Sequence, residues 1–256
     1  MKIIYLIPLL LVACTNIQPN LNIENAQNPQ ELYLTAKEAF KRSRYDLALQ
    51  SLEKLDTNFP FSPFSDQVKL NLAYARFKSN KHIEAISSLD QYLQEKPYSL
   101  QAPYAWYLRG LCYQEWSIGY FTQQLGEADR SKYDLVSLKR AYANFEQIIK
   151  IFPKSIYSLD SAYRMKIIKE QLAIAEIQVA EYYLNRQAYI AAINRALHNL
   201  TVYQGATNNN RALELLIQGY LGLNRKKEAR EAYRVLELNF PNYATLAELQ
   251  KLTKLD

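Results

Sequence analysis

The sequence predicts an all-α protein assembled from repeated helix pairs, and two observations lead to that prediction. The 256 residues include 49% apolar residues, 22% charged residues and only six glycines, a composition typical of a compact helical protein. Four prolines also close stretches of helical periodicity, and a similar apolar pattern precedes each of them: Pro60, Pro97, Pro153 and Pro241. A recurring pattern of this kind indicates an array of similar units.

The pattern before each proline has three positions. Twelve residues upstream lies Ala48, Ala85, Ala141 or Ala229; eight upstream lies Leu52, Leu89, Phe145 or Tyr233; five upstream lies Leu55, Tyr92, Ile148 or Leu236. These offsets share one helix face, and proline ends the helix because it cannot supply the next backbone donor. Ala36 and Ala73 add a small position twelve residues before the first two central alanines. This is the 34-residue tetratricopeptide pattern, which predicts a superhelix of about five helix-turn-helix repeats.

Repeats one, two and five are regular in sequence. They are predicted at residues 29–62, 66–99 and 210–243, and short turns are expected at 43–46 and 79–82. Each would contribute two helices joined by a turn, and about ten helices are expected in all.

Repeats three and four depart from this regularity. Ala141 follows Gly110 by 31 residues rather than twelve, so about 19 residues are inserted near 117–137, where Gly119 and Gly126 predict a loop with a helical turn. Residues 158–185 contain no glycine or proline, which predicts an unusually long first helix in repeat four.

The N-terminus has the features of a secretory leader. Lys2 precedes an apolar stretch from Ile3 to Val12 that is too short to span a bilayer as a helix, so residues 1–13 are predicted to be a signal peptide. The run Leu11 to Cys14 resembles the bacterial lipobox, which implies cleavage before Cys14 and acylation of that cysteine. Thr15 then favours outer-membrane sorting, and residues 14–28 are predicted to be a flexible tether. An ordinary leader with an accidental cysteine is the alternative.

Composition and motifs argue against several classes of function. The net charge of +6 is scattered, with no basic block that would suit a nucleic acid. Nucleophile-elbow, zinc-protease, phosphate-loop and dinucleotide motifs are absent, so neither an enzyme, a cofactor nor a metal is expected. His82 is expected to cap a turn, His198 to lie on a helix surface, and Cys112 to be a buried small residue.

The repeat register predicts a binding groove, because the first helix of each tetratricopeptide repeat lines the concave surface. The side chains expected there combine aromatic rings with a cationic edge that could seat an extended peptide. They are Tyr33, Lys37, Phe40, Lys41, Leu70, Tyr74, Phe77, Lys78, Tyr104 and Tyr107. Burial of about half of these aromatics between repeats is the competing interpretation.

A second candidate surface lies in repeat four. The segment YIAAINRALHNL at 189–200 carries a single arginine, Arg195, and Arg186 lies in the preceding turn. A guanidinium on a weakly polar helix could anchor a partner's carboxylate. Simple solvation of the arginine is the alternative.

Three segments resemble one family more closely than any generic repeat. NFPFSPF at 58–64, YAWYLRGL at 104–111 and especially VAEYYLNRQAYIAAINRAL at 179–197 look like the BamD family of lipoproteins. That family belongs to the outer-membrane β-barrel assembly (BAM) machinery, and the likeness runs from the lipobox to residues 238–242. Gln204 and Gly205 depart from it, since the family usually has a Tyr-Pro or similar turn there.

The resemblance implies a non-enzymatic adaptor on the periplasmic face of the outer membrane. Repeats 1–3 (29–153) would receive unfolded barrel precursors, and repeats 4–5 (154–256) would bind a POTRA domain of BamA, with Arg186 and Arg195 as contacts. The other BAM lipoproteins are further implied partners. A periplasmic repeat scaffold for cell-wall or division enzymes is the alternative, since the same repeats would serve it.

Overall fold

The computed structural model describes residues 28–125 and 134–254, and within these ranges it contains helices and no strand. The described helices are α1 Pro29–Lys41, α2 Tyr45–Asn58, α3 Ser65–Lys78, α4 His82–Glu95, α5 Ala102–Leu125, α6 Leu135–Ile151, α7 Ser158–Asn185, α8 Tyr189–Val202, α9 Asn209–Gly222, α10 Lys226–Asn239 and α11 Leu246–Lys254. No helix in the described ranges combines the length and apolarity that crossing a bilayer requires. The predicted leader, Cys14 and nearly all of the predicted tether lie outside these ranges.

The chain divides into two compact units, the first ending at Val68 and the second beginning at Lys69, within α3. In the first unit α1 packs against α2. Helix α1 begins where Asn28 caps it, because the Asn28 side chain accepts a hydrogen bond from the Glu31 amide at 2.9 Å and Pro29 occupies the first turn. Leu32 and Leu52, both fully buried, belong to the core of this unit.

In the second unit successive helices from α4 to α11 pack in chain order. Every one of the three pattern positions that precede the four prolines is buried, with at most 7% of its surface exposed. The four helices that carry the pattern end two residues before Pro60, Pro97, Pro153 and Pro241. The all-α tetratricopeptide fold predicted from the sequence is therefore confirmed, and so is α7, which spans the predicted 158–185.

The turns inside repeats one, two, four and five share one backbone conformation. Ser43, Asn80, Gln187 and Asn224 each adopt a left-handed conformation with φ between 54° and 59°. In each turn the next residue's amide donates to a carbonyl five residues earlier, as Arg44 does to Ala39. This is the Schellman arrangement, which pairs the last carbonyls of one helix and reverses the chain into the next.

The expectation for the insert in repeat three is partly wrong, because α5 continues to Leu125 where a loop was predicted from residue 117. One glycine inside a helix costs only about 1 kcal/mol, so Gly119 did not end it. Residues 126–133 lie outside the described ranges. The Gln204–Gly205 departure forms a tight turn, since Gly205 adopts φ +76°.

Two further expectations need correction. Helix α11 was not predicted; its Leu249 is 2% exposed and packs into the core of repeats four and five. His82 does not cap a turn through its side chain, because it is the first residue of α4 and its ring packs edge-on against Phe77 and Trp116. Its Nδ1 is buried and has no hydrogen-bond partner among the residues that the structure describes. Aromatic packing thus decided the position of this ring.

Cys112 is fully buried, as predicted. Burial raises the pKa of its thiol to about 12, so little reactive thiolate forms in the folded protein at pH 8. In a chain begun at Thr15, which removes the only other cysteine, we expect modification by a disulfide reagent to be at least about a thousandfold slower than in denaturant. Absorbance of the released thiol measures the rate, and comparable rates in both conditions would contradict the burial of Cys112.

Candidate functional site: partner-binding surfaces

Helix α1 carries four of the residues predicted to line a groove. Tyr33 is half-buried, and its ring stacks on that of Phe64 with the centroids 4.7 Å apart. Phe40 is also half-buried, whereas the side chains of Lys37 and Lys41 are exposed. The first unit therefore presents two ammonium groups near two partly accessible aromatic rings, and that of Lys41 lies 3.2 Å from Glu38 Oε2.

Helix α3 shows that two groove predictions, Leu70 and Phe77, are wrong. Phe77 is only 7% exposed and belongs to the core of the second unit, together with Leu70 and Ala73. Residues 70, 73 and 77 recur at helical spacing on one face, and the core cluster that they join also contains residues of α4 and α5. Tyr74 is half-buried and Lys78 is exposed, so these two side chains remain accessible.

Helices α5 and α7 bring the predicted Tyr104 and Tyr107 together with residues that the prediction missed. The ring of Tyr157 lies 5.7 Å from that of Tyr104 and 5.0 Å from that of Tyr107. The Tyr107 hydroxyl donates to Asp160 Oδ2 at 2.6 Å, and Arg164 Nε donates to the same oxygen at 2.6 Å. The result is an aromatic cluster held by one carboxylate and one guanidinium.

The charge states within this cluster follow from burial and hydrogen bonding. Burial raises the pKa of Tyr104 well above its usual value. Burial alone would also raise the pKa of Asp160, but hydrogen bonds from Tyr107 and Arg164 lower it on balance. At neutral pH the cluster therefore offers neutral phenols beside an ion pair. The four-residue spacing of Asp160 and Arg164 on one helix was the sequence signal for it.

Arg186 is an exposed residue of the second candidate surface. Its guanidinium lies 4.3 Å above the ring of Tyr182, which is itself 52% exposed. A cavity of about 440 Å³ begins at the next residue and is lined in part by Ile190 and Leu223. An exposed arginine stacked on an aromatic ring near an apolar cavity is a composition typical of interaction hot spots.

Arg195 does not share this surface, and it is not the solvated lone cation that the sequence allowed. Its Nη1 lies 3.2 Å from Oε2 of Glu176, whose side chain is only 10% exposed. Ten residues of α7 separate Glu176 from Arg186, which is about 15 Å along the helix axis. The two arginines predicted as one contact therefore belong to different places on repeat four.

The comparisons with known proteins agree with one another. The family model described as YfiO, outer membrane lipoprotein, matches residues 25–235. The chain is 32% identical over 236 residues to the outer membrane protein assembly factor BamD of Neisseria meningitidis serogroup B, covering 91% of this chain and 88% of that protein.

Two other relatives carry the same name. The protein from Pasteurella multocida is 32% identical over 222 residues, covering 87% of this chain and 84% of the relative. The protein from Xylella fastidiosa is 31% identical over 225 residues, covering 88% and 77%. The matched region contains the surfaces described above, and the chain belongs to the YfiO family of outer membrane lipoproteins, in which these relatives are named BamD.

Proposed function

We propose that this chain is a non-enzymatic lipoprotein adaptor of the BAM complex, which binds BamA and unfolded β-barrel precursors for folding and insertion into the outer membrane. The observation that carries the proposal is its membership of a family whose relatives, matched over most of their length, are named outer membrane protein assembly factors. The surfaces found in the structure support it, because they combine aromatic rings with cations.

The anchor is the first part of the proposal. Residues 1–13 would be removed as a signal peptide, Cys14 would carry the acyl chains, and residues 14–28 would tether the repeats to the periplasmic face of the outer membrane. The support is the Leu11 to Cys14 pattern, since several acyl chains hold a protein at a membrane stably.

The C-terminal repeats, residues 154–256, are the proposed binding region for a POTRA domain of BamA. Arg186 is the stronger of the two predicted contacts, because its guanidinium is exposed and has a cavity with an apolar wall next to it. Arg195 is a weaker candidate, since its guanidinium already pairs with Glu176. The other BAM lipoproteins remain proposed partners without an assigned surface.

The N-terminal repeats, residues 29–153, are the proposed precursor-binding region. The residues that support this are accessible, at least in part, in their own units: Tyr33, Lys37, Phe40 and Lys41 in the first, and Tyr74, Lys78, Tyr104 and Tyr107 in the second. Leu70 and Phe77 are excluded from the set because they are core. Exposed lysines would attract carboxylates while the rings pack against apolar side chains.

One experiment tests both the proposed BamA-binding region and the proposed precursor-binding region. We expect the tagged protein, purified from detergent-solubilised outer membranes, to retain BamA, and Arg186→Glu to reduce that recovery about tenfold or more. Lys78→Glu is the matched charge reversal on an exposed residue of the other region, in the same unit as Tyr74. It should leave BamA recovery unchanged and weaken crosslinking of a precursor peptide to a photoreactive residue placed at Tyr74.

The outcomes separate the alternatives. Failure of the unmodified protein to recover BamA would count decisively against the adaptor role. Depletion of the protein should lower the level of barrel proteins in the outer membrane. Septation defects with normal barrel levels would instead favour the scaffold for division enzymes. Arg195→Glu is a poor test, because it would place a second carboxylate beside Glu176 and disturb folding.

A further inference from the structure

The second unit exposes a group of large apolar side chains in the loops before α5 and α7 and in the first turns of α7. All five are between 63% and 95% exposed: Tyr98, Leu100, Ile156, Leu159 and Tyr163. Single exposed apolar side chains are ordinary on a protein surface, but several in neighbouring segments mark an interaction surface. We call these five side chains the apolar edge.

The two loops that carry the apolar edge are neighbours. Phe152, where α6 ends, packs against the core cluster that α4 and α5 share. The ring of Tyr157, just before α7, lies 5.7 Å from that of Tyr104 in the first turn of α5. Residues 96–101 lead directly into that turn. The loop before α5 and the loop before α7 therefore lie side by side.

The start of α7 turns an apolar stripe towards solvent. Leu159, Ala162, Tyr163 and Lys166 are all exposed, and their spacing places them on one face of the helix. The core lies on the opposite face, where Ile168 is fully buried. Packing within the repeats therefore does not account for the apolar residues of this stripe.

The charge beside the apolar edge is positive. Lys154 and Lys166 are exposed, and neither pairs with a carboxylate within the two ranges that the structure describes. The carboxylates of these segments are engaged in ion pairs, Asp160 with Arg164 and Glu95 with Lys69. Lysines next to exposed apolar groups complement the boundary of a bilayer, where anionic headgroups overlie apolar chains.

We propose that the apolar edge enters the interface of a phospholipid membrane that contains anionic lipid, with Lys154 and Lys166 at the lipid phosphates. Leucine and isoleucine would reach the acyl chains, and the tyrosines would remain at the polar boundary, since each joins an apolar ring to a hydroxyl. The inference rests on the proposed position of the chain at the outer membrane.

The shape of the apolar edge favours a membrane over a protein partner. Side chains that are up to 95% exposed project from the surface. A fluid bilayer admits a projecting side chain wherever it enters, whereas a protein must offer a pocket that matches each one. A lipid surface therefore fits these projections without a second shaped surface.

The test places a fluorophore on the apolar edge. The protein, purified from outer membranes and reconstituted in vesicles of phosphatidylethanolamine and phosphatidylglycerol, carries a nitrobenzoxadiazole label at Leu159→Cys. Buried Cys112 does not compete for the label, and an acylated Cys14 has no thiol. Ile83→Cys is the matched control, because Ile83 is also exposed but lies about 18 Å along α4 from Glu95. We expect brominated lipids to quench the label at 159 about fivefold or more over that at 83.

Aspartate substitutions test whether the two loops enter the membrane together. Ile156→Asp combined with Leu159→Asp should lower the quenching of a label at Leu100→Cys about tenfold, whereas Ile83→Asp should leave it unchanged. Helical circular dichroism should stay the same in each variant, because every substituted side chain is exposed.

The lysines are tested by lipid charge. Lys154→Gln combined with Lys166→Gln should weaken quenching about fivefold or more in these vesicles, and should have no effect in vesicles of phosphatidylcholine alone. Flotation with the vesicles without preferential quenching at 159 would overturn the inference and leave the anchor standing, and failure to float would overturn both. Equal quenching at 83 and 159 would also overturn it. So would a spectral shift that grows with protein concentration in the absence of lipid, because a second copy of the chain would then cover the edge.

Discussion

Replacing Gly110 with leucine is expected to remove most of the stability of repeat three. A Cβ atom at this position would lie 2.6 Å from Cε1 of Phe145, closer than real Cβ contacts come. Phe145 is fully buried in the core shared by α6 and α7, so its ring has no free space to enter. Overpacking of this kind typically costs about 1 to 3 kcal/mol, and leucine adds three carbons beyond Cβ.

The measurement is denaturant unfolding followed by helical circular dichroism. We expect Gly110→Leu to lower the free energy of unfolding by about 3 kcal/mol or more, and Gly110→Ala by about 1 to 2 kcal/mol, because alanine recovers about 1 kcal/mol of helix propensity. Ala143→Leu adds the same three carbons beyond Cβ at an exposed position on α6 and should change stability by less than about 0.5 kcal/mol.

A compensating variant distinguishes the clash from a general loss of helix. Phe145→Leu removes the ring atoms that Gly110 accommodates, so its combination with Gly110→Ala should cost less than the two single changes added together. Strict additivity, or an undiminished stability of Gly110→Leu, would show that close helix approach is not the reason for glycine here.

Removing the guanidinium of Arg211 is expected to destabilise repeat five. Arg211 Nη1 lies 2.6 Å from Glu214 Oε2, and its Nε and Nη2 both lie 2.8 Å from Glu181 Oε1. The side chain of Glu214 is only 5% exposed, and the Tyr243 hydroxyl also donates to it at 2.6 Å. The network joins α7, α9 and the segment after α10.

Arg211→Met would leave the Glu214 carboxylate buried beside uncharged donors. Loss of one partner of a buried pair costs about 3 to 5 kcal/mol, but Arg211 is 37% exposed and water can reach the site, so we expect about 2 kcal/mol. Hydrogen exchange should rise most in α10 and α11, which pack against α9. The matched change Arg234→Met, at an exposed residue of α10, should have little effect.

Two controls make this prediction specific. Arg211→Met with Glu214→Leu removes both charges, so stability should recover relative to Arg211→Met alone. Burial and the hydrogen bond to Glu214 raise the pKa of Tyr243 to about 12. Tyr243 is an acid with a raised pKa in the folded protein, so its contribution is present below about pH 10 and is lost as the pH rises towards 12. Failure of the double variant to recover would contradict the buried-charge explanation.

The candidate site was only partly readable from the sequence. Repeat register selected Tyr74, Tyr104 and Tyr107, whose side chains are partly accessible. It also selected Leu70 and Phe77, although Leu70, Ala73 and Phe77 share one helical stripe that could have marked both as core. The ion-pair partners of charged side chains could not be predicted from the repeat register. Arg195 meets Glu176 across 19 residues of sequence, a contact that exists only after α7 and α8 have packed.

The sequence by itself determined the local structure of this protein. Alanine, large apolar and proline positions recur at helical spacing, and because periodicity and chain breaking are local properties, they specified the helices and their buried faces before any packing was known. The lipobox-like run at Leu11 to Cys14 and the family resemblance were equally readable in the chain itself.

Tertiary structure alone decided which polar and aromatic groups remain available. Burial of a ring depends on what another helix places over it, and the partner of a charge depends on residues distant in the chain. For that reason Phe77 became core, and Arg186 stayed exposed while Arg195 was paired.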